Sequence, residues 1–309
     1  SNDNKTFFDM YADWLEHGVR RHDGNAEIRR SFEKDVLPEL GAVPIKKLTE
    51  NNVRVVLRSM ASRGVGRSTE MRYNALVQLF NWAKVRQPYR RLMVEGNPMD
   101  LVEIKTILPQ DFDPEAVRER ILYPNDIRQL RDIFAKMHST YEQTPAGEKY
   151  GVSRPIKAEI QHALWICLAT MCRIGELLQS QWKDVDLTEG VWFVPKENVK
   201  GGKGLKKSQT VALSAFALRQ FKELHALTGA TPYCFPNTQR DGHVDLKSVT
   251  KIVGDCQAMF KTQKKALKGR RNDNSLVLND GRDGNWTPHD LRRTGSTMLQ
   301  ALGEDTNMI

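Results

Sequence analysis

Long apolar runs are missing from this sequence. The longest candidate, His162 to Met171, falls well short of the roughly 18 residues that a membrane span needs, and no signal peptide is read at the start. Cysteine is scarce. The four residues, Cys167, Cys172, Cys234 and Cys256, form no CxxC pair and show no metal-ligand spacing with histidine. They read as reduced core thiols of a cytosolic protein, so neither a disulfide framework nor a metal site is expected. A Gly-x-x-x-x-Gly-Lys-[Ser/Thr] loop is also lacking, which removes the common nucleotide phosphate cradle. Acidic residues are outnumbered: 38 Asp and Glu stand against 47 Lys and Arg, a net charge of +9. That excess favours a polyanionic partner, nucleic acid before an anionic membrane surface, although a merely soluble basic protein has the same balance. What is present is 309 residues, 39% of them hydrophobic, enough for a real core and one or two domains.

Periodicity predicts a mainly helical chain. In residues 1–100, Thr6 can cap a helix carrying Phe7, Tyr11, Trp14 and Leu15 on one face. A second helix carries Ile28, Phe32 and Val36 and stops near Pro38 and Gly41. A third runs from Thr49 to Gly64, and a fourth starts at Ser68 with Met71, Leu76, Leu79 and Phe80 on its stripe. Between the last two lies the basic, glycine-bearing stretch from Arg63 to Thr69. With Arg67 it suits a backbone phosphate at a helix start, and equally an ordinary turn. Gly96-Asn97-Pro98 breaks the pattern, and residues 101–120 read as a linker of mixed charge.

Residues 121–309 form the expected second domain. A helix with Ile127, Leu130 and Ile133 is followed by a polar loop from His138 to Pro155. One mostly apolar helix is expected from about Ile156 to Gln181. Two short strand-like runs, Val191–Pro195 and Ser208–Leu213, flank Lys200-Gly-Gly-Lys203-Gly-Leu-Lys206-Lys207 and suggest a β-hairpin with a cationic tip that orders on DNA. Helices resume at Ala215 and over Ser248 to Lys261. The last opens at Thr287-Pro288-His289-Asp290, where Thr287 suits the N-cap, Pro288 the first position and Asp290 the third.

Three elements share groups suited to a phosphate. Arg173 and Glu176, three apart on a helix, place a guanidinium beside a carboxylate that can orient it, or form a plain surface ion pair. The hairpin tip can deliver a lysine to a DNA groove, or be a solvated charge run. His289 and Arg292 share one face in the first turns of the last helix, where the dipole already favours an anion; helix capping with a surface histidine is the plain alternative.

The ordered combination resembles the catalytic domain of the tyrosine recombinases. Arg292 follows Arg173 by 119 residues. Ala169 to Asp186 resembles the family's first-arginine box, with Arg173-Ile-Gly-Glu176-Leu, Trp182 and Asp186. Val194 to Lys200 with Val211 to Ser214 resembles the hairpin of phage and genomic-island integrases, and Thr287 to Thr294 the second-arginine box. The helical first hundred residues resemble the family's core-binding domain. The resemblance implies that Arg173 and Arg292 clamp the scissile phosphate, that Lys200 (or Lys203) protonates the leaving 5′-oxygen, that His289 assists proton transfer, and that Glu176 buttresses Arg173. Lys203, Lys206, Lys207, Arg293 and Arg67 are the expected further DNA contacts. It implies no metal and no nucleotide cofactor, a double-stranded DNA partner, a homotetramer on paired sites, no membrane association and a bacterial cytoplasmic location.

The family pattern continues past the second arginine to a His or Trp and then to the nucleophilic tyrosine. Only 17 residues follow Arg292, and none is Tyr, His or Trp; all seven tyrosines precede His289. The nucleophile is therefore expected outside this sequence, which reads as a truncated catalytic domain. A type IB topoisomerase and a non-catalytic DNA-binding relative are the alternatives.

Overall fold

The computed structural model describes residues 4–21, 23–110, 112–113, 116, 118–201, 206–261 and 269–303. The chain divides into two compact units, 1–117 and 118–309.

The first unit is helical. Helix α1 (Phe7–His17) begins at a capping box: the Asp9 amide donates to Thr6 Oγ1 at 3.3 Å, and the Thr6 amide donates to Asp9 Oδ2 at 2.8 Å. Two amides that a first turn leaves without partners are thereby satisfied. Then come α2 (Ala26–Asp35) and the single turn α3 (Leu37–Leu40), which holds Pro38 where its missing N–H matters least. Thr49 caps α4 (Glu50–Ser62), and α5 (Gly66–Ala83) and the short α6 (Tyr89–Leu92) complete the unit. The predicted stripes meet in one core, where the Tyr11 and Phe32 rings stack at 5.0 Å; Met71, expected on the stripe of α5, is instead exposed. Full burial of each such side chain contributes about 1.5–3 kcal/mol. Met99, Val102 and Ile107 are buried in the same core, so part of the segment expected as linker packs on this unit.

Helix α5 starts at Gly66, two residues earlier than expected, because the Thr69 amide and hydroxyl both donate to the Val65 carbonyl and extend the helix backwards. The basic loop shrinks to residues 63–65. Arg63 pairs with Asp35 at 2.6 Å and Arg67 with Glu70 at 2.7 Å.

The second unit gathers helices on one central helix and carries a three-stranded antiparallel sheet. Helix α7 (Pro124–Gln143) runs beyond the expected boundary at His138; it ends where Thr144 precedes Pro145, a position that disfavours helix. A 3-10 turn, Ala146–Gly151, occupies part of the expected loop. The single apolar helix expected over residues 156–181 is two helices, α8 (Ala158–Thr170) and α9 (Ile174–Leu178), separated by Met171 in the left-handed region at φ 53°. The sheet orders β1 (Val185–Asp186), β2 (Val191–Val194) and β3 (Gln209–Ala212), with Trp192 opposite Val211. Trp192 and Val194 point into the core while Phe193 is exposed, the alternation a half-buried strand requires. Helix α10 (Ala215–Thr228) packs on α8, and α11 (Ser248–Asp255) is shorter than expected, with a 3-10 turn at Ala258–Phe260. Helix α12 (Pro288–Ala301) also lies along α8.

Among the described residues no helix is long and apolar enough to cross a membrane. The four cysteines are buried free thiols.

Candidate active site

Two chain turns build the site. The first is the break between α8 and α9. No glycine or proline in residues 168–173 demands it, so packing imposes it. Gly295 of α12 lies so close that a Cβ there would stand 2.6 Å from the Leu168 carbonyl oxygen and 2.7 Å from Met171 Cγ. Where the chain turns, the Arg292 guanidinium donates to the Met171 carbonyl, an acceptor that α8 has left without a helical donor.

Arg173 is consequently the N-cap of α9 and not a mid-helix residue, and Glu176 is its third position. The three-residue spacing still brings them together, as a cap contact. Arg173 donates to Glu176 Oε1 at 2.9 Å through its side chain and to Oε2 at 3.3 Å through its amide. Glu176 is 5% exposed against 39% for the Arg173 side chain, so the carboxylate lies beneath the guanidinium. Burying a carboxylate is costly without donors. A further donor arrives from the hairpin: the Lys200 amide reaches Glu176 Oε1 at 3.2 Å. One buried side chain therefore ties the first arginine to the base of the hairpin.

The second turn leads into α12. Trp286 is buried and its amide donates to Gln257 Oε1 at 3.0 Å, while Gln257 Nε2 donates to the Trp286 carbonyl at 2.8 Å. Thr287 then caps the helix, its amide and hydroxyl donating to Asp290 Oδ2 at 2.8 and 3.0 Å. His289 and Arg292 follow at the second and fifth helical positions. His289 is exposed overall, but desolvation of its inner part, reinforced by Arg293, Arg292 and Arg173 and opposed by Asp290, holds its imidazole below the ordinary histidine range. The neutral ring is the form that can accept a proton at neutral pH.

Arg173, Glu176 and the Lys200 backbone thus meet at one place, Arg292 is bonded two residues before Arg173, and His289 feels the charge of both arginines. The Lys200 side chain is exposed. Lys206 is half-buried and Lys207 exposed at the start of the returning arm; Lys203, with the rest of the tip from Gly202 to Leu205, lies outside the described residues. Arg293 pairs with Asp290 at 2.8 Å, and Arg67 lies in the first unit. Among the described residues no group of His, Cys, Asp and Glu could hold a metal ion.

Sequence reading missed Arg118. It stands in the expected linker, yet its side chain grips Asp290 and Asn285, and no local signal could reveal that Asp290, 172 residues away, is its partner. The Asp290–Arg293 half of the same cluster, three residues apart on a helix, was legible.

Residues 123–309 match the family model described as Phage integrase family. Among solved structures, a lambda integrase tetramer bound to a Holliday junction aligns at a TM-score of 0.65 and 15% identity, covering 99% of this chain and 76% of that one. The Tn1549 transposon integrase in complex with a circular intermediate DNA aligns at 0.61 and 17%, covering 98% and 89%. A lambda integrase dimer bound to a COC′ core site aligns at 0.63 and 15%, covering 97% and 72%. At such identities the likeness speaks for the fold: mainly helical, with a small antiparallel sheet. No curated protein matches the sequence.

Proposed function

The chain belongs to the phage integrase family, and on that footing we propose that it serves site-specific recombination of duplex DNA by holding one backbone phosphate between Arg173 and Arg292. Two guanidiniums on the non-bridging oxygens meet the charge that develops at phosphorus in the transition state. Glu176 keeps Arg173 in place from below. A tyrosine nucleophile attacks the phosphorus, and His289, neutral at physiological pH, assists removal of its proton. Lys200, or Lys203 in its place, protonates the departing 5′-oxygen. The product is a 3′-phosphotyrosyl link, which a 5′-hydroxyl of the partner strand displaces by the same route in reverse. One phosphoester is exchanged for another at each step, so no nucleotide cofactor is consumed. Lys206, Lys207, Arg293 and Arg67 add backbone contacts that position without specifying. Four copies act together on two paired sites, with the DNA in a bacterial cytoplasm.

The observation that carries this reading is the buried Glu176 carboxylate, which joins the Arg173 guanidinium to the start of the lysine hairpin. A surface ion pair would need neither the burial nor the hairpin amide. The test is a nicked suicide duplex incubated with residues 1–309 and with the same residues extended at the C-terminus by a tyrosine-bearing segment. Only the extended protein should form a covalent adduct. Arg173→Ala or Arg292→Ala should slow adduct formation by a factor on the order of a hundred or more, about 3 kcal/mol, while DNA affinity changes little, because one phosphate contact is lost among several. Adduct formation by residues 1–309 alone would place the nucleophile among the seven tyrosines and refute the assignment.

A further inference from the structure

The Asp290 carboxylate is fully buried at the mouth of α12, one residue after His289 and two before Arg292. Its donors fall in two groups. Thr287 and Arg293 belong to the same helical turns and would move with it. Arg118 comes from elsewhere. Its Nε reaches Oδ1 at 2.9 Å and Oδ2 at 2.8 Å, and its Nη2 lies 2.8 Å from Oδ2. The same guanidinium donates to Asn285 Oδ1 at 3.2 Å and to the Asn285 carbonyl, so it spans the chain just before the cap and the carboxylate just after it. Four residues on, the Leu122 amide donates to Thr294 Oγ1 at 2.8 Å, and that hydroxyl donates to the Asp290 carbonyl at 2.7 Å. The segment 118–122 is thus fastened along the first two turns of the helix that carries His289 and Arg292.

We propose that Arg118 is a positioning residue for the phosphate site: by clamping Asp290 and Asn285 it sets the first turn of α12 and, through it, the places of His289 and Arg292. A planar guanidinium with several donors can hold a carboxylate and a carbonyl in one fixed relation, which an ammonium cannot. Small displacements matter here, since misplacing a reacting group by about 1 Å can cost on the order of a hundredfold in rate. The proposal rests on the reading of His289 and Arg292 as phosphate ligands, and Arg118 itself touches no substrate.

The charges that bear on His289 are Arg293, Arg292 and Arg173, which oppose its protonation, and Asp290, which favours it. Arg118 acts through Asp290. Histidine-labelled NMR of the whole chain, with the His289 signal assigned by His289→Gln, therefore reads the clamp directly. Arg118→Ala should raise the His289 titration midpoint by on the order of half a pH unit, because Asp290 loses a neutralising partner. In an arginine-labelled sample it should also broaden the signal of the Arg292 Nη1 group, as its bond to the Met171 carbonyl loosens. Arg118→Lys, which keeps the charge and loses the fork, should fall between the two. A lower melting temperature with both signals unchanged would reduce Arg118 to a stabilising contact and overturn the proposal. If Arg118→Ala does not fold, Arg118→Lys alone decides, and an unmoved midpoint overturns it. Adding duplex DNA to the wild type separates the two readings: His289 and Arg292 signals that ignore DNA refute the phosphate site, whereas the DNA-free spectra judge Arg118.

Discussion

Asp290 and Glu176 are both buried carboxylates that orient arginines, yet they should respond differently to substitution. Asp290 is wholly inaccessible, with Arg118 and Arg293 on it and the Thr287 cap depending on it. Asp290→Ala takes the carboxylate from Arg118, which keeps its Asn285 contacts, and from Arg293, and it removes the cap, so a loss of about 2 kcal/mol is expected. Urea unfolding measures it, and a loss below about 1 kcal/mol would contradict the buried network. Glu176 pairs with a side chain that is 39% exposed. Glu176→Gln keeps a side-chain oxygen that can accept from Arg173 and from the Lys200 amide, so a smaller stability loss is expected there, with the larger effect on adduct formation by the extended protein. His289 adds a pH signature. Its folded value lies below the ordinary 6.5, so on acidification the unfolded chain takes up the proton first. Its contribution is therefore complete above about pH 6.5 and declines as pH falls towards the depressed folded value. The difference between wild type and His289→Gln in unfolding midpoint should be constant above about pH 6.5 and change below it; a difference that is constant across the whole range would refute the depressed value. The thiols offer a further check. Burial pushes Cys234 up to about 12 and Cys256 to about 11, so under roughly one part in a hundred of either is thiolate at pH 8. Native protein should leave both unmodified by a thiol reagent that labels them at once in urea.

At the scale of elements, the break between α8 and α9 decides whether there is a site at all. A continuous helix through residues 158–178 would leave the Met171 carbonyl inside a helical ladder, unavailable to Arg292. The break is held by the close approach of Gly295 to Leu168 and Met171. Gly295→Ala must push α12 away or bend the turn, and a cost of about 1–3 kcal/mol is expected. It should also reduce adduct formation by more than its stability loss explains, because it displaces Arg292. Unchanged activity with an unchanged melting temperature would show that the contact is slack. The hairpin shows how an element is placed by one residue. Val191 to Ala212 pairing brings Lys200 back over the start of α9, and the Lys200 amide finds Glu176.

For the whole molecule the expected property is duplex DNA binding governed by charge. With +9 net and basic residues in both units, several phosphates should be neutralised on binding, so affinity should fall by about a thousandfold or more between 50 and 200 mM salt. A gel-shift or anisotropy series measures this, and a flat salt dependence would argue against a phosphate-tracking interface. Much of the architecture was legible beforehand. The stripes of Phe7, Tyr11, Trp14 and of Leu76, Leu79, Phe80 predicted the first core, because 3.6-residue periodicity is a property of neighbours in the chain. The capping boxes at Thr6 and Thr287, spanning three residues each, and the strand alternation around Trp192 were equally local.

Composition and order along the chain thus set the helical class, the capped helix starts at Thr6, Thr49 and Thr287, the hairpin and the identity of the residues that could bind a phosphate, since each depends on interactions within a few residues. What distance along the chain conceals was settled by packing. The turn at Met171 contains no breaker and exists because Gly295 and Arg292 come against it from more than a hundred residues later. Arg173 became a helix cap for that reason. Arg118, unremarked in a stretch of mixed charge, found its partner 172 residues away. Contacts of that range have no periodicity and no spacing rule; they are selected by which surfaces the folded core brings together.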